Sequence, residues 1–350
     1  MIQAKPTSCP YCDSRSIGKK GVRQNTMRQL QLFRCANCWK YFTPLSGIKT
    51  KYSPELIAKA LLFFYQGNTQ EEIIKIFRTR HKVRLSRRTL GRWIAKYKHI
   101  CTFYPLRSQA LILSPKKELV TQFALEHRQV YIFKKHEAKL QQLVKTLGAT
   151  NGKRLSTYLE EVTQPSFPHE IFRDEKSEEA DQETKPAVQR SSQVSFETLP
   201  LATRTKQNTA NDLATFGLYL AKRSVERHPM IEEFMLACDG ATVATEVPLY
   251  LTDSELRYFH SIGFYLPIDQ LSKPITGHID VLQVRNGLIH ILDYKPDAKK
   301  VNPVNQLLLY ALALASRTRL PLKLFVCTWF DEKDYFEFYP LHAVHKREGK

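Results

Sequence analysis

The chain has 350 residues, of which 43% are hydrophobic, so we expect two or three domains rather than one compact unit. Its formal net charge of +19 is concentrated at one end, because residues 1–100 contain 21 lysines and arginines but only 4 aspartates and glutamates. This basic third predicts a polyanionic partner, DNA or RNA first, with an anionic membrane surface as the alternative. The absence of a long apolar run and of a secretory signal predicts a cytoplasmic protein that does not enter a membrane.

Four of the seven cysteines form two Cys-x-x-Cys pairs, Cys9 with Cys12 and Cys35 with Cys38, with 22 residues between the pairs. Two tight turns that each present two thiolates can surround one tetrahedral Zn²⁺ ion, and a closed shell of four thiolates is structural. Coincidental pairs or a redox dithiol are the alternatives. The residues around the cysteines resemble the zinc ribbons that open many insertion-sequence transposases. For residues 1–48 this resemblance implies DNA binding, and it does not imply transposition.

Residues 52–100 change to helical spacing and predict a helix-turn-helix DNA-binding domain. We expect a first helix between Ser53, which caps it, and Gly67, which ends it, followed by helices over Thr69–Arg80 and Arg87–Lys98. The last helix is the candidate recognition helix, because basic side chains on one face could contact guanines or phosphates: Arg87, Arg88, Arg92, Lys96 and Lys98. The alternative is a solvated basic face on a three-helix bundle that binds no DNA.

Residues 106–165 predict an α/β connecting region of unknown role that includes a helix over Lys116–His127. Residues 173–207 are polar and poor in large aliphatic side chains, which predicts a flexible linker. A globular pattern returns over residues 208–350, with helices, extended segments, a buried helix and a closing strand. We therefore expect a multidomain α/β protein whose last part is an α/β core with a central mixed sheet.

Acidic side chains lie within otherwise apolar strands of this last part. Asp280 lies in one strand, and Asp293 and Lys295 lie two apart on the next strand, so the latter two point to the same face. The Asn-Gly pair at 286–287 favours a hairpin that joins the two strands. Glu246, in the preceding extended segment, adds a third carboxylate. Hard carboxylate oxygens suit Mg²⁺ or Mn²⁺, and a lysine can offset charge that develops on a phosphate.

These residues resemble the RecB-like branch of the PD-(D/E)xK nucleases, whose pattern is Glu, Gly-x-x-Asp, Asp/Glu-x-Lys and Gln-x-x-x-Tyr. The matches occur in that order: Glu246, GHID ending at Asp280, DYK from Asp293 to Lys295, and QLLLY from Gln306 to Tyr310. The resemblance implies a restriction-endonuclease-like core, a 5′-phosphate product, and Gln306 and Tyr310 facing the active site. It also suggests His228 as a tentative metal ligand. Some relatives carry an iron–sulfur cluster, but only Cys327 lies downstream of these motifs here, so we expect none.

The expected function is that of a magnesium-dependent deoxyribonuclease, in particular an endonuclease, held on DNA by the zinc ribbon and helix-turn-helix and linked to them flexibly. A homodimer would suit double-strand cutting, and mobile-element, defence or repair partners are compatible. A strand-transfer enzyme that uses Asp280 as its first acid is disfavoured, because only 70 residues follow it. The other alternative is a non-catalytic DNA-binding regulator or transposon accessory protein with a nuclease-like domain.

Overall fold

A computed structural model describes most of the chain. The described residues are 8–12, 14–25, 28–43, 52–173, 189–198, 201, 203–205, 208–268 and 270–344. They form a three-stranded sheet near the N-terminus and a nine-stranded mixed sheet with helices around it. The expected mixed α/β fold with a central mixed sheet is therefore confirmed. Within these ranges, no helix combines the length and the apolar character needed to cross a membrane.

The small sheet is antiparallel and contains β1 (Ile17–Asn25), β2 (Arg28–Cys35) and β3 (Tyr41–Phe42) in that order. The rings of Phe33 and Phe42 stack with their centroids 5.8 Å apart, and they are buried together with two of the cysteines. A core of this size is too small to stabilise an independent fold, so this module needs a further source of stability.

Three helices follow at the expected positions: α1 (Pro54–Tyr65), α2 (Gln70–Arg80) and α3 (Arg87–Tyr97). Each begins after a residue whose hydroxyl accepts a backbone N–H: Ser53, Thr69 and Ser86. Gly67 has a φ of +94°, which is the left-handed conformation that ends a helix without strain. A fourth helix, α4 (Tyr104–Leu113), completes this region.

The helix expected over Lys116–His127 is wrong. After a short 3-10 turn the chain forms a strand, β4 (Val120–Glu126), which pairs in antiparallel fashion with β5 (Val130–His136). Phe123 lies directly opposite Phe133 across this pair. Cross-strand packing of aromatic and β-branched residues outweighs the helical spacing of this segment.

The remaining elements are α5 (Glu137–Leu143), α6 (Ala149–Glu161), β6 (Gln189–Arg190), β7 (Arg204–Thr205), α7 (Thr209–Leu220), α8 (Arg227–Cys238), β8 (Thr242–Leu251), α9 (Asp253–Ser261), β9 (Ile275–Arg285), β10 (Leu288–Tyr294), α10 (Val304–Thr318), β11 (Phe325–Phe330), β12 (Tyr335–Phe338) and α11 (Pro340–Val344). The large sheet has the order β4-β5-β8-β9-β10-β11-β12-β7, and β6 pairs with β9. The pairs β10–β11 and β6–β9 are parallel, and the others are antiparallel. Residues 106–165 therefore contribute two strands to the central sheet instead of forming a separate connector.

The segment 173–207, expected to be a linker, is described only in part. Residues 174–188, 199–200, 202 and 206–207 lie outside the described residues. Where the segment is described, β6 and β7 pair with strands of the large sheet, and Ser191 is buried. These parts of the segment are ordered by the sheet, because an edge strand offers backbone hydrogen bonds that do not depend on apolar side chains.

The helical N-terminal region and the sheet share one hydrophobic core. Residues of α1, α2 and α3 are buried together with residues of α7, α8 and the sheet. The rings of Tyr97 and Phe216 lie 5.0 Å apart, and Gln66 Nε2 donates a hydrogen bond of 2.9 Å to Glu233. The expected flexible connection between the two parts is therefore replaced, for α1–α3, by direct packing.

Helix α8 is held firmly at its C-terminal end. The fully buried Lys139 donates hydrogen bonds from Nζ to the carbonyl oxygens of Leu236 and Asp239, and burial lowers the pKa of this lysine to about 7. The carboxylate of Asp239 accepts hydrogen bonds from Thr102 and Thr242. This network fixes α8 against the sheet, which matters because α8 carries part of the site described next.

Candidate active site and cysteine cluster

The four cysteines of the two Cys-x-x-Cys pairs form one cluster. Their Sγ atoms all lie within 4.8 Å of one another, with Cys9 and Cys38 3.5 Å apart and Cys12 and Cys35 3.6 Å apart. Four sulfurs at Zn–S distances of about 2.3 Å would lie roughly 3.8 Å apart, so the donor set fits a tetrahedral ion. A hydrogen bond from the backbone amide of Cys38 lowers the pKa of Cys35 to about 6, whereas the pKa of Cys38 is raised to about 12, because burial and the three other sulfurs outweigh a hydrogen bond with the backbone of Lys40. The cluster could therefore bind a metal such as zinc.

A second group of ionisable side chains meets where β9 and β10 run together. Leu292 of β10 pairs with Val281 of β9 in antiparallel register. Asp293 follows Leu292 and Asp280 precedes Val281, so the two acids are the next residues at the same end of this strand pair. Asp280 Oδ2 accepts a 2.9 Å hydrogen bond from the amide of Tyr294, which orients this carboxylate. The Asn-Gly hairpin has thus brought the two acids together, as the strand pattern indicates.

Lys295 forms an ion pair with Asp293, with Nζ 2.8 Å from Oδ2. Asp293 is only 2% exposed, and its burial, together with the nearby charge of Asp280, raises its pKa to about 7. Burial opposes the charge of Lys295, but the two carboxylates outweigh burial and raise the pKa of the lysine. The lysine therefore stays charged, while Asp293 changes its protonation state near neutral pH.

Glu246 adds a carboxylate from β8, opposite Asp280. It lies between Thr245 and Val247, whose partners on β9 flank Asp280. Its φ of +52° is unusual for a residue with a side chain and is a local distortion of the strand. Burial, and then the charge of Asp280, raise the pKa of Glu246 to about 8. Burial thus favours the protonated form of Glu246 near neutral pH.

Gln306 and Tyr310 lie one turn apart on α10 and face the same region. Gln306 Nε2 donates a 2.8 Å hydrogen bond to the Tyr310 hydroxyl, and Ser191 forms a side-chain hydrogen bond with that tyrosine. Gly277 lies beneath the ring, since a Cβ there would come within 2.3 Å of Tyr310 Cε1 and 2.8 Å of Ser191 Oγ. Gly277, three residues before Asp280, thus leaves space for Tyr310 and Ser191 that a side chain would occupy.

His228 lies in the first turn of α8, next to the same acids. Its Nε2 is 2.9 Å from the carbonyl oxygen of Tyr294, the residue between Asp293 and Lys295. Burial lowers the pKa of His228, so the imidazole is neutral and its Nε2 can serve as a hydrogen-bond donor or, in the other tautomer, as a metal ligand.

Most of these side chains line a cleft of about 510 Å³, whereas Asp293 and Lys295 are not among its lining residues. One wall comes from the turn between β4 and β5 and from β6, and it carries three basic side chains: Arg128, Lys134 and Arg190. His228, Glu246, Asp280, Gln306 and Tyr310 line the remaining surface. The carboxylates are close but not yet gathered around one point, because among the described residues only the four cysteines have three or more ligand atoms within 4.8 Å of one another.

Comparison with known proteins gives no guide to this arrangement. The chain matches no family model, no curated protein and no solved structure. Its function must therefore be inferred from the side chains of the cleft, from the cysteine cluster and from the exposed face of α3.

Glu232 is a cleft residue that the sequence reading missed. It lies on α8, one turn after His228, is 7% exposed, and has an Oε1 atom without a hydrogen-bond partner. Burial, and then the charges of Glu246 and Asp280, raise its pKa well above the ordinary value. Two features of the sequence pointed to this residue. Glu232 follows His228 by four residues, which is one helical turn, and it lies in the largely apolar segment MIEEFMLAC.

A row of three histidines braces the wall of the cleft. His127 Nδ1 lies 2.8 Å from Nε2 of His278, and His127 Nε2 lies 3.1 Å from Nδ1 of His169. Phe172 stacks on His127 at 4.2 Å and Tyr131 stacks on His278 at 3.7 Å. Burial lowers the pKa of His127 to about 4, so it is neutral. Because His127 uses its two nitrogens in opposite directions, the row does not converge on one metal ion and instead joins the β4–β5 turn to β9.

The exposed face of α3 is basic. All five side chains that the sequence indicates are exposed: Arg87, Arg88, Arg92, Lys96 and Lys98. Arg87 forms an exposed ion pair of 3.1 Å with Glu71, whereas Leu90 and Ile94 on the opposite face are buried. This helix thus presents cations to solvent and apolar side chains to the core, an arrangement that can contact a polyanion.

Proposed function

We propose that the protein is a divalent-cation-dependent nuclease that hydrolyses phosphodiester bonds in DNA, with a restriction-endonuclease-like core. The observation that carries this proposal is the ion pair of Lys295 with the 2% exposed Asp293, beside Asp280, which lines the open cleft. A purely structural lysine needs one carboxylate, whereas this one has two, and both are disfavoured by burial. Such an excess of buried negative charge is typical of a site that receives a cation.

The donor set fits magnesium or manganese, because it consists of hard carboxylate oxygens. Asp280, Asp293 and Glu246 would hold the ion. His228 would offer a further ligand in the tautomer whose Nε2 carries no proton, in exchange for the 2.9 Å hydrogen bond that this nitrogen can donate to the Tyr294 carbonyl oxygen. A bound cation would lower the pKa of a water molecule and polarise the scissile phosphate.

The chain's own side chains would position the DNA and balance charge. Lys295 would offset the negative charge that grows on the phosphate during attack. Gln306 holds the Tyr310 hydroxyl in place, and this hydroxyl can orient Asp293 or a phosphate oxygen. Arg128 and Arg190 on the cleft wall would neutralise neighbouring phosphates of the strand.

The N-terminal region would hold the DNA. We propose that the cysteine cluster is the structural zinc site of a zinc ribbon. We also propose that α2 and α3 act as a helix-turn-helix, with the exposed basic face of α3 against the DNA. The exposed positions of Arg88 and Arg92 near the start of α3 support this part of the proposal, because recognition helices contact base edges with their N-terminal turns.

The test is cleavage of labelled single-stranded, duplex and branched DNA in the presence of Mg²⁺ or Mn²⁺. Asp293→Ala and Lys295→Ala should each lower the cleavage rate by about a hundredfold or more. Asp212→Ala and Lys300→Ala change the same residue types at exposed positions and should leave the rate unchanged.

A protein that cuts none of these substrates with either metal, yet binds duplex DNA with a steep salt dependence, would be a DNA-binding regulator with a nuclease-like domain. Equal cleavage by the wild type and by both active-site variants would point to a contaminating nuclease.

A further inference from the structure

Three large aromatic rings are exposed to solvent beside the cysteine turns of the N-terminal module. Trp39, the residue after Cys38, is 64% exposed, and Tyr41 is 53% exposed. Tyr11, which lies within the first Cys-x-x-Cys turn, is 46% exposed. Single exposed rings are ordinary on a protein surface, but a group of them marks a surface that another molecule covers.

Two cations lie over these rings and join them into one surface. The guanidinium carbon of Arg34 lies 4.5 Å from the ring centre of Trp39 and 5.4 Å from that of Tyr41. Lys40 Nζ lies 4.9 Å from the ring centre of Tyr11, and Lys40 lies between the other two aromatic residues in the sequence. We call this surface, which combines ring faces with positive charge, the aromatic platform; it consists of Tyr11, Arg34, Trp39, Lys40 and Tyr41.

The backbone presents the rings of the aromatic platform to solvent. Trp39 has a φ of +61°, a left-handed conformation that is uncommon for a bulky residue. Its amide donates a 3.1 Å hydrogen bond to the carbonyl oxygen of Cys35, so the ring is attached to the turn that carries two of the cysteines. Tyr41 pairs with Arg34 across β2 and β3, whereas its neighbour Phe42 is buried. The exposed positions of these rings are therefore built into the turn and the sheet.

The charge of this module favours a polyanion as the covering molecule. Residues 1–48 contain eight lysines and arginines but one aspartate and no glutamate. Lys19 and Lys20 on β1 are exposed and add two cations outside the aromatic platform. A single nucleic-acid strand matches this chemistry, because its unpaired bases stack on aromatic rings and its phosphates pair with cations. In a duplex the bases are already stacked on each other, so a duplex would leave the rings uncovered.

We propose that the aromatic platform binds unpaired bases of a DNA strand, with bases stacked on Trp39 and Tyr41 and a phosphate beside Lys40. This inference deepens the nuclease proposal and rests on it for its purpose. The substrate would be a junction, in which duplex DNA contacts α3 and an adjoining single strand contacts the aromatic platform. The junction, and not the duplex alone, would then select the DNA that the nuclease cuts.

The zinc-loaded full chain offers a direct signal, because its other two tryptophans are buried: Trp93 is 6% exposed and Trp329 is 5% exposed. A base that stacks on Trp39 should quench the emission of that residue. Titration with oligothymidylate, in the absence of Mg²⁺ and Mn²⁺ so that no strand is cut, should therefore quench tryptophan fluorescence. A blunt-ended DNA duplex of equal length should quench it far less.

Variants separate the rings from the charge. Trp39→Ala and Tyr41→Ala should each weaken oligothymidylate binding by about tenfold, measured by the fluorescence anisotropy of labelled DNA, and leave duplex affinity unchanged. Trp39→Phe keeps a ring, so it should retain most of the affinity while the quenching is lost. Val22→Ala, at a 57% exposed position on β1, is the matched control and should change neither quantity. A zinc content equal to that of the wild type would show that the module of each variant is folded.

Several outcomes would overturn the proposal. Equal oligothymidylate affinity of the wild type and Trp39→Ala would do so, and an equal loss of duplex affinity in that variant would show that the ring only supports the module. Quenching by vesicles that contain phosphatidylserine, with none by oligothymidylate, would assign the aromatic platform to an anionic membrane surface. Tighter binding of oligouridylate would assign it to RNA.

These results are independent of catalysis. Quenching by oligothymidylate, with its loss in Trp39→Phe, supports the aromatic platform even if no DNA is cut. Conversely, metal-dependent cleavage by a protein whose fluorescence oligothymidylate does not quench would support the nuclease and exclude the aromatic platform.

Discussion

The cysteine cluster and the carboxylate cleft both contain side chains of the kinds that bind metal ions, but among the described residues only the cysteines are gathered around one point. The cysteines come from two short turns joined by a small antiparallel sheet, whereas the acids come from α8, β8, β9 and β10. Neutral thiols can approach one another at little cost, while carboxylates repel each other and resist burial. A closed structural site can therefore be assembled locally, but a site of buried acids requires the whole fold and would be completed by the cation proposed above.

Removal of zinc should have the largest effect. The module over residues 8–43 has a very small core, and structural zinc contributes about 10 kcal/mol or more to the folding of such modules. We expect Cys35→Ser, or a chelator, to unfold this module while the melting temperature of the large sheet stays unchanged. Limited proteolysis and thermal unfolding would measure both parts, with Lys19→Ala, an exposed residue of β1, as the control. If the module stays protected from proteolysis without metal, zinc does not stabilise it, and the contrast between the cysteine cluster and the cleft does not hold.

The acids of the cleft should lower the free energy of unfolding of the metal-free protein, because burial opposes their charge. The raised pKa values of Asp293, about 7, and Glu246, about 8, mean that the folded state holds protons that the unfolded state has already lost. The free energy of unfolding should therefore fall as pH rises from about 4 to about 8, by at most about 1.4 kcal/mol per unit of raised pKa. Urea unfolding at several pH values would measure this fall.

Glu246→Gln should reduce that dependence on pH, and so should saturating Mg²⁺, because a cation stabilises the ionised carboxylates. Asp212→Ala, an exposed acid on α7, should have no such effect. Stability that is flat between pH 4 and pH 8 in the metal-free wild type would contradict the idea that the acids are strained by burial.

Gly277→Ala should disturb the cleft without changing its charges. The added methyl group would meet Tyr310 Cε1 at 2.3 Å and Ser191 Oγ at 2.8 Å, so the tyrosine must move. Overpacking of this kind costs about 1–3 kcal/mol. Gly91→Ala on α3 is the control, because no atom lies within 4 Å of the added group, and there alanine should stabilise the helix by up to about 1 kcal/mol. Equal melting temperatures for the two variants would contradict the close contact.

The basic face of α3 should produce the smallest effect, and only on DNA binding. Arg88→Ala together with Arg92→Ala should weaken duplex binding by roughly tenfold and lower the slope of log affinity against log salt by about 0.9 for each lost phosphate contact. Lys145→Ala together with Lys153→Ala removes two exposed cations on other elements and should change neither quantity. An unchanged slope in the α3 variant would assign DNA binding to another surface.

The sequence predicted best what depends on neighbours along the chain. Helices α1 and α3 begin after the expected capping residues, Ser53 and Ser86, and the Asn-Gly hairpin brings Asp280 and Asp293 together. Strand β4 was mistaken for a helix because its helical spacing hid its pairing with β5, and the sheet pairing of β6 was missed because its partner in β9 lies more than 80 residues away. Glu232 was missed for the same reason: a glutamate on a helix becomes unusual only when burial and two other carboxylates surround it.

The core shared by α1–α3 and α7–α8 has a consequence for where DNA would be cut. Because Tyr97 packs against Phe216 and Gln66 bonds to Glu233, α3 and the cleft lie at a fixed distance and angle from each other. A duplex held on α3 would then meet the carboxylates at the same offset in every molecule. Breaks would then lie a constant number of base pairs from the bound sequence. A nuclease domain on a flexible linker would instead cut at variable distances from that sequence.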